Sequence, residues 1–387
     1  ALAPGRSELV APLDCDDTRV LAAALATLGA RVERRRGAWD VTGPVTGAHG
    51  AEIVVDVGPA GTPARFLLAL LAALPGRAVL DGSARMRERP MGPLVEALRA
   101  RGARIEALGR EGFLPLRVEG GRLEGGEITV RADVSSQFVS ALLLVAPLVP
   151  GGLVVRTEGR AVSGAYVELT RRVLDAFAPG GAYRATRWVV PGDDSAACFP
   201  IAGALVSGGR VVLEGLEPDS PQPDAVFRSW AADAGGRLRW LGEGEGRRLV
   251  VEAGPLGALD ADVDDAPDAA LPLAALLAFG GGTSRLSGVG RLREKESDRL
   301  SAMLDILEKA GAAARLEGGS DPVLVVDGPA GRPRRADFAA AADHRVAMAA
   351  AVLALALPEG ATLDDPAVVS KSWPAFWDGW RPLVKER

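Results

Sequence analysis

The sequence predicts a mixed α/β (α+β) chain of two domains, each containing three repeats of helices and strands. Three observations indicate this fold class: a length of 387 residues, a content of 48% hydrophobic residues, and a segment pattern that recurs along the chain. At roughly 150 residues per domain, the length is sufficient for two or three domains. The composition is that of ordinary globular proteins and argues against a disordered chain.

The recurring segment has a small or polar head, an apolar helix, a break that contains Pro or Gly, and a strand rich in Val and Leu. Its five copies begin at Gly61, Ser135, Asp194, Asp268 and Asp343. Each copy is followed by an amphipathic helix that ends at a glycine, and then by two strands joined by a turn. The glycines expected to end the second helices, including that of the truncated first unit, are Gly29, Gly102, Gly180, Gly235 and Gly311. The repeat is too long for an ordinary short-repeat solenoid.

The repeats also predict where the domains divide. A boundary at Val190 and Pro191 gives three units to domain 1–190 and three to domain 191–387. Residues 1–13 match the helix tail, break and strand of a head segment, so the first unit is expected to be truncated at its start. Residues 373–385 match the second helix of a sixth unit that has no closing strands after it.

Charge and composition argue against several classes of protein function. The chain has 45 basic and 50 acidic residues, which argues against a general nucleic-acid-binding surface. The apolar runs at 142–149 and 346–357 are shorter than the roughly 18 residues that cross a membrane. Two cysteines form no disulfide framework, and the first residues do not resemble a secretory signal. We expect a cytoplasmic protein with a local anion site and no nucleic-acid or membrane partner.

The repeat heads are the places where chemistry is expected. A helix N-terminus offers unpaired N–H groups and the positive end of the helix dipole, and both suit anions. Taken singly, Thr62, Ser135 and Asp268 are better explained as ordinary N-caps. Several such heads with arginine, serine and histidine beside them favour a site for a ligand with several negative charges.

Eight segments resemble, in order and spacing, the EPSP synthase (3-phosphoshikimate 1-carboxyvinyltransferase) family, and they span essentially the whole chain. They are GPAGTPARFL, RMRERPMGPLVEALR, VSSQFVSALLL, SGAYVELT, APDAALPLAAL, REKESDRL, ADHRVAMA and VSKSWPAFW. The resemblance implies two domains that close on their substrates. Each would contain three βαβαββ units around a pseudo-threefold axis, an EPT/RTPC-like fold.

The resemblance also implies a reaction. The family transfers the enolpyruvyl group of phosphoenolpyruvate to the 5-hydroxyl of shikimate 3-phosphate through a tetrahedral ketal and releases phosphate, a step of chorismate and aromatic amino-acid biosynthesis. This chemistry requires fixed cations, a base for the hydroxyl, and an acid for the enolpyruvyl methylene. It requires no metal or other cofactor, and the sequence contains no P-loop or HExxH motif. The expected partners are these two small molecules, and the expected oligomeric state is a monomer.

The resemblance assigns roles to residues of this sequence. The catalytic residues it implies are Asp268 as the base, Glu296 as the proton donor, and Lys371. The implied phosphoenolpyruvate-binding residues are Gly61, Arg89, Gln137, Arg299, His344, Arg345 and Lys371. The implied contacts of shikimate 3-phosphate are Ser135, Ser136, Gln137, Ser163, Tyr166, Asp268 and Lys295. His344 is open to a second interpretation, as a structural partner.

The segment REKESDR also has two interpretations. On one helical turn, Lys295, Glu296 and Arg299 would lie close together, with cations beside the carboxylate. The alternative is an ordinary solvated helix start with no function.

The chain departs from the family pattern in several places. Pro59, Ala196 and Pro223 replace the residues usual there, and the sequence begins after the Lys-Ser-x-x-x-Arg head of the first unit. One alternative is therefore a catalytically impaired paralogue that binds shikimate phosphate or a partner protein. Another is the related enolpyruvyl transferase of UDP-N-acetylglucosamine. That enzyme uses a reactive loop cysteine, and neither Cys15 nor Cys198 occupies a comparable place.

Overall fold

The computed structural model of the chain describes residues 1–131, 135–159, 164–328 and 335–381, without the side chain of residue 245. Contacts divide the chain into two compact units, Ala1–Val190 and Pro191–Arg387. In the described parts, each unit contains three β-sheets. No helix among these residues is long and apolar enough to cross a membrane.

The first unit alternates strands and helices. Its elements are β1 (Gly5–Val10), α1 (Asp16–Thr27), β2 (Arg31–Arg35), β3 (Ala38–Gly43), β4 (Ala48–Asp56), α2 (Gly61–Ala73), β5 (Gly76–Asp81), α3 (Ala84–Arg87), α4 (Gly92–Ala100), β6 (Arg104–Ala107), β7 (Leu116–Gly120), β8 (Gly126–Arg131), α5 (Ser136–Val145), β9 (Leu153–Glu158), α6 (Gly164–Phe177) and β10 (Arg187–Val189).

One complete βαβαββ repeat is seen in β4–β7. Its sheet has the order β4-β5-β7-β6, with β4 parallel to β5 and the remaining pairs antiparallel. A second sheet, β10-β1-β3-β2, has the same arrangement, with β10 parallel to β1. Strand β10 therefore occupies, in that sheet, the edge position that β4 occupies in its own. The parallel pair β8-β9 forms the third sheet.

The second unit repeats the pattern. Its elements are α7 (Asp194–Val206), β11 (Arg210–Glu214), α8 (Phe227–Asp233), β12 (Arg237–Leu241), β13 (Arg248–Glu252), β14 (Asp260–Asp262), α9 (Ala270–Leu277), β15 (Thr283–Ser287), α10 (Arg299–Lys309), β16 (Ala313–Glu317), β17 (Val323–Asp327), β18 (Ala336–Phe338), α11 (His344–Ala354), β19 (Ala361–Leu363) and α12 (Phe376–Trp380). Its sheets are β11-β13-β12, β14-β15-β17-β16 and β18-β19.

The first helix of each repeat lies in the core. Every residue of α9 is buried, and α2, α5, α7 and α11 are buried over most of their length. Helices that are apolar on all faces are stable only when neighbours surround them. Full burial of one leucine contributes about 1.5–3 kcal/mol. In the second unit, α7, α9 and α11 pack against one another in pairs, so their N-termini are held by a shared core.

The glycines at the ends of the second helices have the expected conformation. Gly29, Gly102 and Gly235 have φ values of 105°, 86° and 110°, a region that residues with a Cβ atom rarely adopt. The ends of the chain differ in part from expectation. Residues 1–3 are not helical, although β1 follows them, and the helix expected over 373–385 is described only as Phe376–Trp380.

Candidate active site

Arg299 lies at the centre of a charged cluster in the second unit. It is the first residue of α10, and its side chain is 1% exposed. Nε donates to Asp343 Oδ2 (2.7 Å), Nη1 to Asp268 Oδ1 (2.7 Å) and Nη2 to Glu296 Oε2 (2.8 Å). Burial disfavours the charge, but the three carboxylates raise the pKa of Arg299, so the guanidinium remains protonated. One buried cation thus fixes three carboxylates from separate segments.

Asp343 binds Arg299 and caps α11 at the same time. Its Oδ1 accepts a hydrogen bond from the backbone N–H of Arg345 (2.9 Å), and its Oδ2 accepts one from the Ser297 hydroxyl (3.1 Å). Burial would raise the pKa of Asp343, but the Arg299 cation holds it below its usual range. Asp343 therefore ties the start of α10 to the start of α11.

Asp268 faces three cations. It lies in the 3₁₀ turn Pro267–Ala269, directly before α9. Its carboxylate is 2.7 Å from Arg299 Nη1, 3.3 Å from Arg345 Nη2 and 3.6 Å from Lys295 Nζ. Burial would raise the pKa of Asp268, but the three cations hold it well below its usual range. The carboxylate is ionised and 19% exposed, so a ligand can reach it.

Glu296 connects this cluster to Lys371. Lys371 Nζ donates to Glu296 Oε1 (2.7 Å), while Arg299 Nη2 donates to Glu296 Oε2 (2.8 Å). Lys371 is the last residue of the 3₁₀ turn Pro366–Lys371, which packs against α11. Each carboxylate oxygen of Glu296 thus faces a different cation.

The expectation that Lys295, Glu296 and Arg299 share one helical turn is wrong. The helix begins only at Arg299, because Asp298 caps it by accepting a hydrogen bond from the backbone N–H of Ser301 (3.1 Å). Residues 295–298 are non-helical. Glu296 still contacts Arg299, but from the non-helical segment that precedes the helix.

His344 is the first residue of α11 and is buried. Burial, and then the positive charge of Arg345, lower the pKa of His344 to about 3, so its imidazole is neutral at physiological pH. Its Nδ1 lies 3.7 Å from Asp343 Oδ1, and this pair is not ionic because the imidazole is neutral.

In the first unit, Gly61 and Arg89 come together. Gly61 opens α2, and a Cβ atom placed there would lie 2.6 Å from Arg89 Nη1. Arg65 joins the two segments, donating from Nη1 to Gly61 O (3.1 Å) and from Nη2 to Pro90 O (2.9 Å). The backbone of Gly61 and the guanidinium of Arg89 are therefore neighbours, and a larger residue at position 61 would push the Arg89 guanidinium away.

Gln137 links the heads of α5 and α2. Its Nε2 donates to Thr62 Oγ1 (3.0 Å), and its backbone N–H donates to the hydroxyl of the N-cap residue Ser135 (3.2 Å). Ser136, the first residue of α5, is buried.

Tyr166 is half-buried in α6. That helix is tied to α5 by a 2.7 Å hydrogen bond between Ser140 Oγ and Thr170 Oγ1. Ser163 lies outside the described residues.

Sequence reasoning assigned no role to three residues in or beside the charged cluster. Asp343 was named only as part of a head, although an Asp before an apolar helix is an N-cap signal. Asp224 and Ser195, which hydrogen-bond to each other through their side chains, gave no motif.

A model of the family described as "EPSP synthase (3-phosphoshikimate 1-carboxyvinyltransferase)" matches residues 1–380. The chain belongs to the EPSP synthase family. This confirms the resemblance seen in the eight sequence segments.

Similar proteins agree with this assignment. The 3-phosphoshikimate 1-carboxyvinyltransferase of Syntrophobacter fumaroxidans is 38% identical over 398 residues, 99% of this chain and 92% of that protein. The protein of the same name from Bordetella bronchiseptica is 37% identical over 412 residues, 100% of this chain and 92% of its own length. The solved EPSP synthase of Acinetobacter baumannii has a TM-score of 0.79 at 25% identity, covering 98% of this chain and 90% of its own. The predicted fold class is confirmed.

Proposed function

We propose that this chain transfers the enolpyruvyl group of phosphoenolpyruvate to the 5-hydroxyl of shikimate 3-phosphate, with proton transfer carried out by the Arg299-centred cluster. The chain is then a 3-phosphoshikimate 1-carboxyvinyltransferase. The arrangement of Asp268 and Glu296 is the observation that supports assigning proton transfer to this cluster. Both are partly exposed carboxylates, and both are bonded to the same buried guanidinium.

Asp268 is the base in this proposal. Without ligand, its cations make it a weak base, because they hold its pKa well below the usual range. Phosphate and carboxylate groups of the substrates, bound at Arg345 and Lys295, would offset these cations and raise the basicity of Asp268. The base is thus activated only when anionic substrate is present.

Glu296 and Lys371 form the proton-donating pair. The Lys371 ammonium contacts Glu296 Oε1 at 2.7 Å, so a proton can pass between them without rearrangement. Donation to the methylene carbon would occur as the hydroxyl attacks, and the reverse transfer would accompany expulsion of phosphate. Arg299 keeps Glu296 in place during both steps.

The other proposed contacts belong to the first unit. Arg89 and the Gly61 N–H bind phosphoenolpyruvate, and the α5 head with Ser135, Ser136 and Gln137 binds shikimate 3-phosphate. Ser163 and Tyr166 complete that set. Arginine suits these ligands because its fork pairs with carboxylate and phosphate oxygens.

The buried cysteines do not favour the UDP-N-acetylglucosamine reaction. Cys198 is buried in α7, and burial strongly raises the pKa of its thiol. Cys15 is also buried. A nucleophilic cysteine needs an accessible, ionised thiol. The proposal further takes the chain to be a monomer and to be cytoplasmic; the two free cysteines are in keeping with a reducing compartment.

The first test is phosphate release. With shikimate 3-phosphate and phosphoenolpyruvate together, the chain is expected to release phosphate continuously, and with unphosphorylated shikimate much more slowly. Phosphate release with UDP-N-acetylglucosamine in place of shikimate 3-phosphate would contradict the assignment. Binding of shikimate 3-phosphate without any release would favour the impaired paralogue.

Gly61→Ala is expected to raise KM for phosphoenolpyruvate about tenfold, the loss of one charge-assisted hydrogen bond, with kcat changed less. The new methyl would meet the end of the Arg89 side chain and displace it.

Glyphosate is expected to inhibit the unaltered enzyme in competition with phosphoenolpyruvate, and Gly61→Ala is expected to relieve this inhibition. The matched control is Gly92→Ala, at the first position of α4, where the nearest atom lies 3.7 Å away. Equal effects of both substitutions would remove Arg89 from the proposed site.

A further inference from the structure

Asp224 is a buried carboxylate that the mechanism above does not use. It lies in the 3₁₀ turn Pro223–Val226, is 1% exposed, and accepts a hydrogen bond from the Ser195 hydroxyl at the start of α7. This turn, the turn that carries Asp268, and helix α11, which carries Arg345, all pack against α7. Asp224, Asp268 and Arg345 therefore come from three elements that meet around one helix.

The other acidic side chains of this region have local partners. Asp194 pairs with Arg228, whose guanidinium also donates to Glu217 O (2.9 Å). Asp193 caps α7, accepting from the backbone N–H of Ser195 (2.8 Å). These contacts assign Asp193 and Asp194 to the stability of α7.

Two of the charges that act on Asp224, those of Asp268 and Arg345, belong to the Arg299-centred cluster. Burial, and then the Asp268 carboxylate, raise the pKa of Asp224 to about 6, while Arg345 and Ser195 oppose this rise and Asp193 adds to it. Arg345 also lies 3.3 Å from Asp268 Oδ2. The Arg345 guanidinium thus pairs with Asp268 and also opposes the rise in the pKa of Asp224.

We propose that Asp224 is a positioning residue that shares Arg345 with Asp268, so that binding of phosphoenolpyruvate at Arg345 is accompanied by proton uptake at Asp224. This inference rests on the proposed function, because it takes Arg345 as a contact of phosphoenolpyruvate. An anion bound beside a carboxylate favours the protonated carboxyl. By linkage, protonation of Asp224 then favours binding of the anion.

KM for phosphoenolpyruvate is therefore expected to rise with pH. Above pH 6, Asp224 is ionised and competes with phosphoenolpyruvate for Arg345, so KM is high. Below pH 6, Asp224 is protonated and KM falls. Ionised Asp224 also makes Asp268 more basic, so removing its charge is expected to lower kcat. Loss of this carboxylate should therefore lower both KM and kcat, whereas simple damage to the fold would not lower KM.

The test compares KM for phosphoenolpyruvate at pH 5.5 and pH 8.0, with saturating shikimate 3-phosphate, in the unaltered chain and in Asp224→Asn. The comparison between variants cancels ionisation of the substrate itself. The ratio of KM at pH 8.0 to KM at pH 5.5 is expected to be about three- to tenfold larger in the unaltered chain than in Asp224→Asn. This corresponds to a shift of up to about one unit in the pKa of Asp224 when phosphoenolpyruvate binds. At pH 8.0, Asp224→Asn is expected to have the lower KM and a several-fold lower kcat.

A second variant, Ser195→Ala, tests the inference independently of whether Asp224→Asn folds. Ser195→Ala removes a hydrogen bond that lowers the pKa of Asp224, so the change of KM with pH should move to higher pH. Asp233→Asn, an exposed carboxylate at the end of α8, is the matched control and should follow the unaltered chain. Identical pH dependence of KM in all four proteins would overturn the inference. Absence of phosphate release from the unaltered chain would instead overturn the proposed function.

Discussion

Replacing Asp268 with asparagine is expected to lower kcat by about 100-fold or more, with little change in the affinity for shikimate 3-phosphate. General base catalysis contributes on this scale, and asparagine keeps the shape of the side chain while removing its charge. The amide oxygen can still accept the 2.7 Å hydrogen bond from Arg299. Steady-state phosphate release gives kcat, and titration calorimetry gives the affinity.

The matched control for this change is Asp265→Asn, an exposed carboxylate three residues earlier in the same segment. It should leave turnover unchanged. The partner substitution Glu296→Gln is expected to lower kcat on the same scale, because it removes the proposed proton donor at the methylene. Turnover close to that of the unaltered chain in either variant would exclude that carboxylate from the proton transfers.

Replacing Arg299 with methionine is expected to destabilise the second unit by about 3–5 kcal/mol, the cost of leaving buried charges without their partner. Three carboxylates would lose their shared cation, and one of them, Asp343, is fully buried. Urea unfolding followed by tryptophan fluorescence would measure the loss. Arg315→Met removes an arginine that pairs with Glu317 and Asp327 at the surface, and should cost no more than about 1 kcal/mol.

The pH dependence of this loss provides a further check. In the unaltered chain, the lowered pKa values of Asp343 and Asp268 give stability above pH 4 that disappears as these groups are protonated at lower pH. Without Arg299, the same buried carboxyls would favour protonation. The destabilisation should therefore be larger at pH 8 than at pH 5. A loss that does not depend on pH would indicate that only packing was disturbed.

The sequence was sufficient to predict the repeats because they depend on local rules. Apolar helices and glycine stops leave a periodic signal, and Gly29, Gly102 and Gly235 have the positive φ values that such stops require. The residues taken from the family motifs in the second unit, among them Asp268 and Glu296, lie together around Arg299.

The sequence could not predict contacts that depend on distant parts of the chain. Binding of phosphoenolpyruvate by Arg299 stays a prediction, but nothing in the sequence indicated that this side chain is buried among carboxylates from residues 268, 296 and 343. The helix start at Arg299 was misplaced because the capping by Asp298 competes with helical continuation of a charged segment. Asp224 left no signal, since burial of a lone carboxylate beside Ser195 is decided by packing rather than by local pattern.

The pairing of β10 with β1 affects the order in which the chain can fold. Residues Glu8 and Arg187, which join these strands through a 3.1 Å ion pair, are 179 positions apart. At about 5–20 residues per second, the ribosome would have released the antiparallel strands β1, β2 and β3 roughly 7 to 30 seconds before β10 emerges. Until then, the outer side of β1 has unpaired backbone groups, and such strand edges associate readily with other chains. Closing so large a loop also costs entropy, which favours late completion of this sheet. Nascent chains of this protein are therefore expected to depend on holding chaperones mainly during synthesis of the first unit.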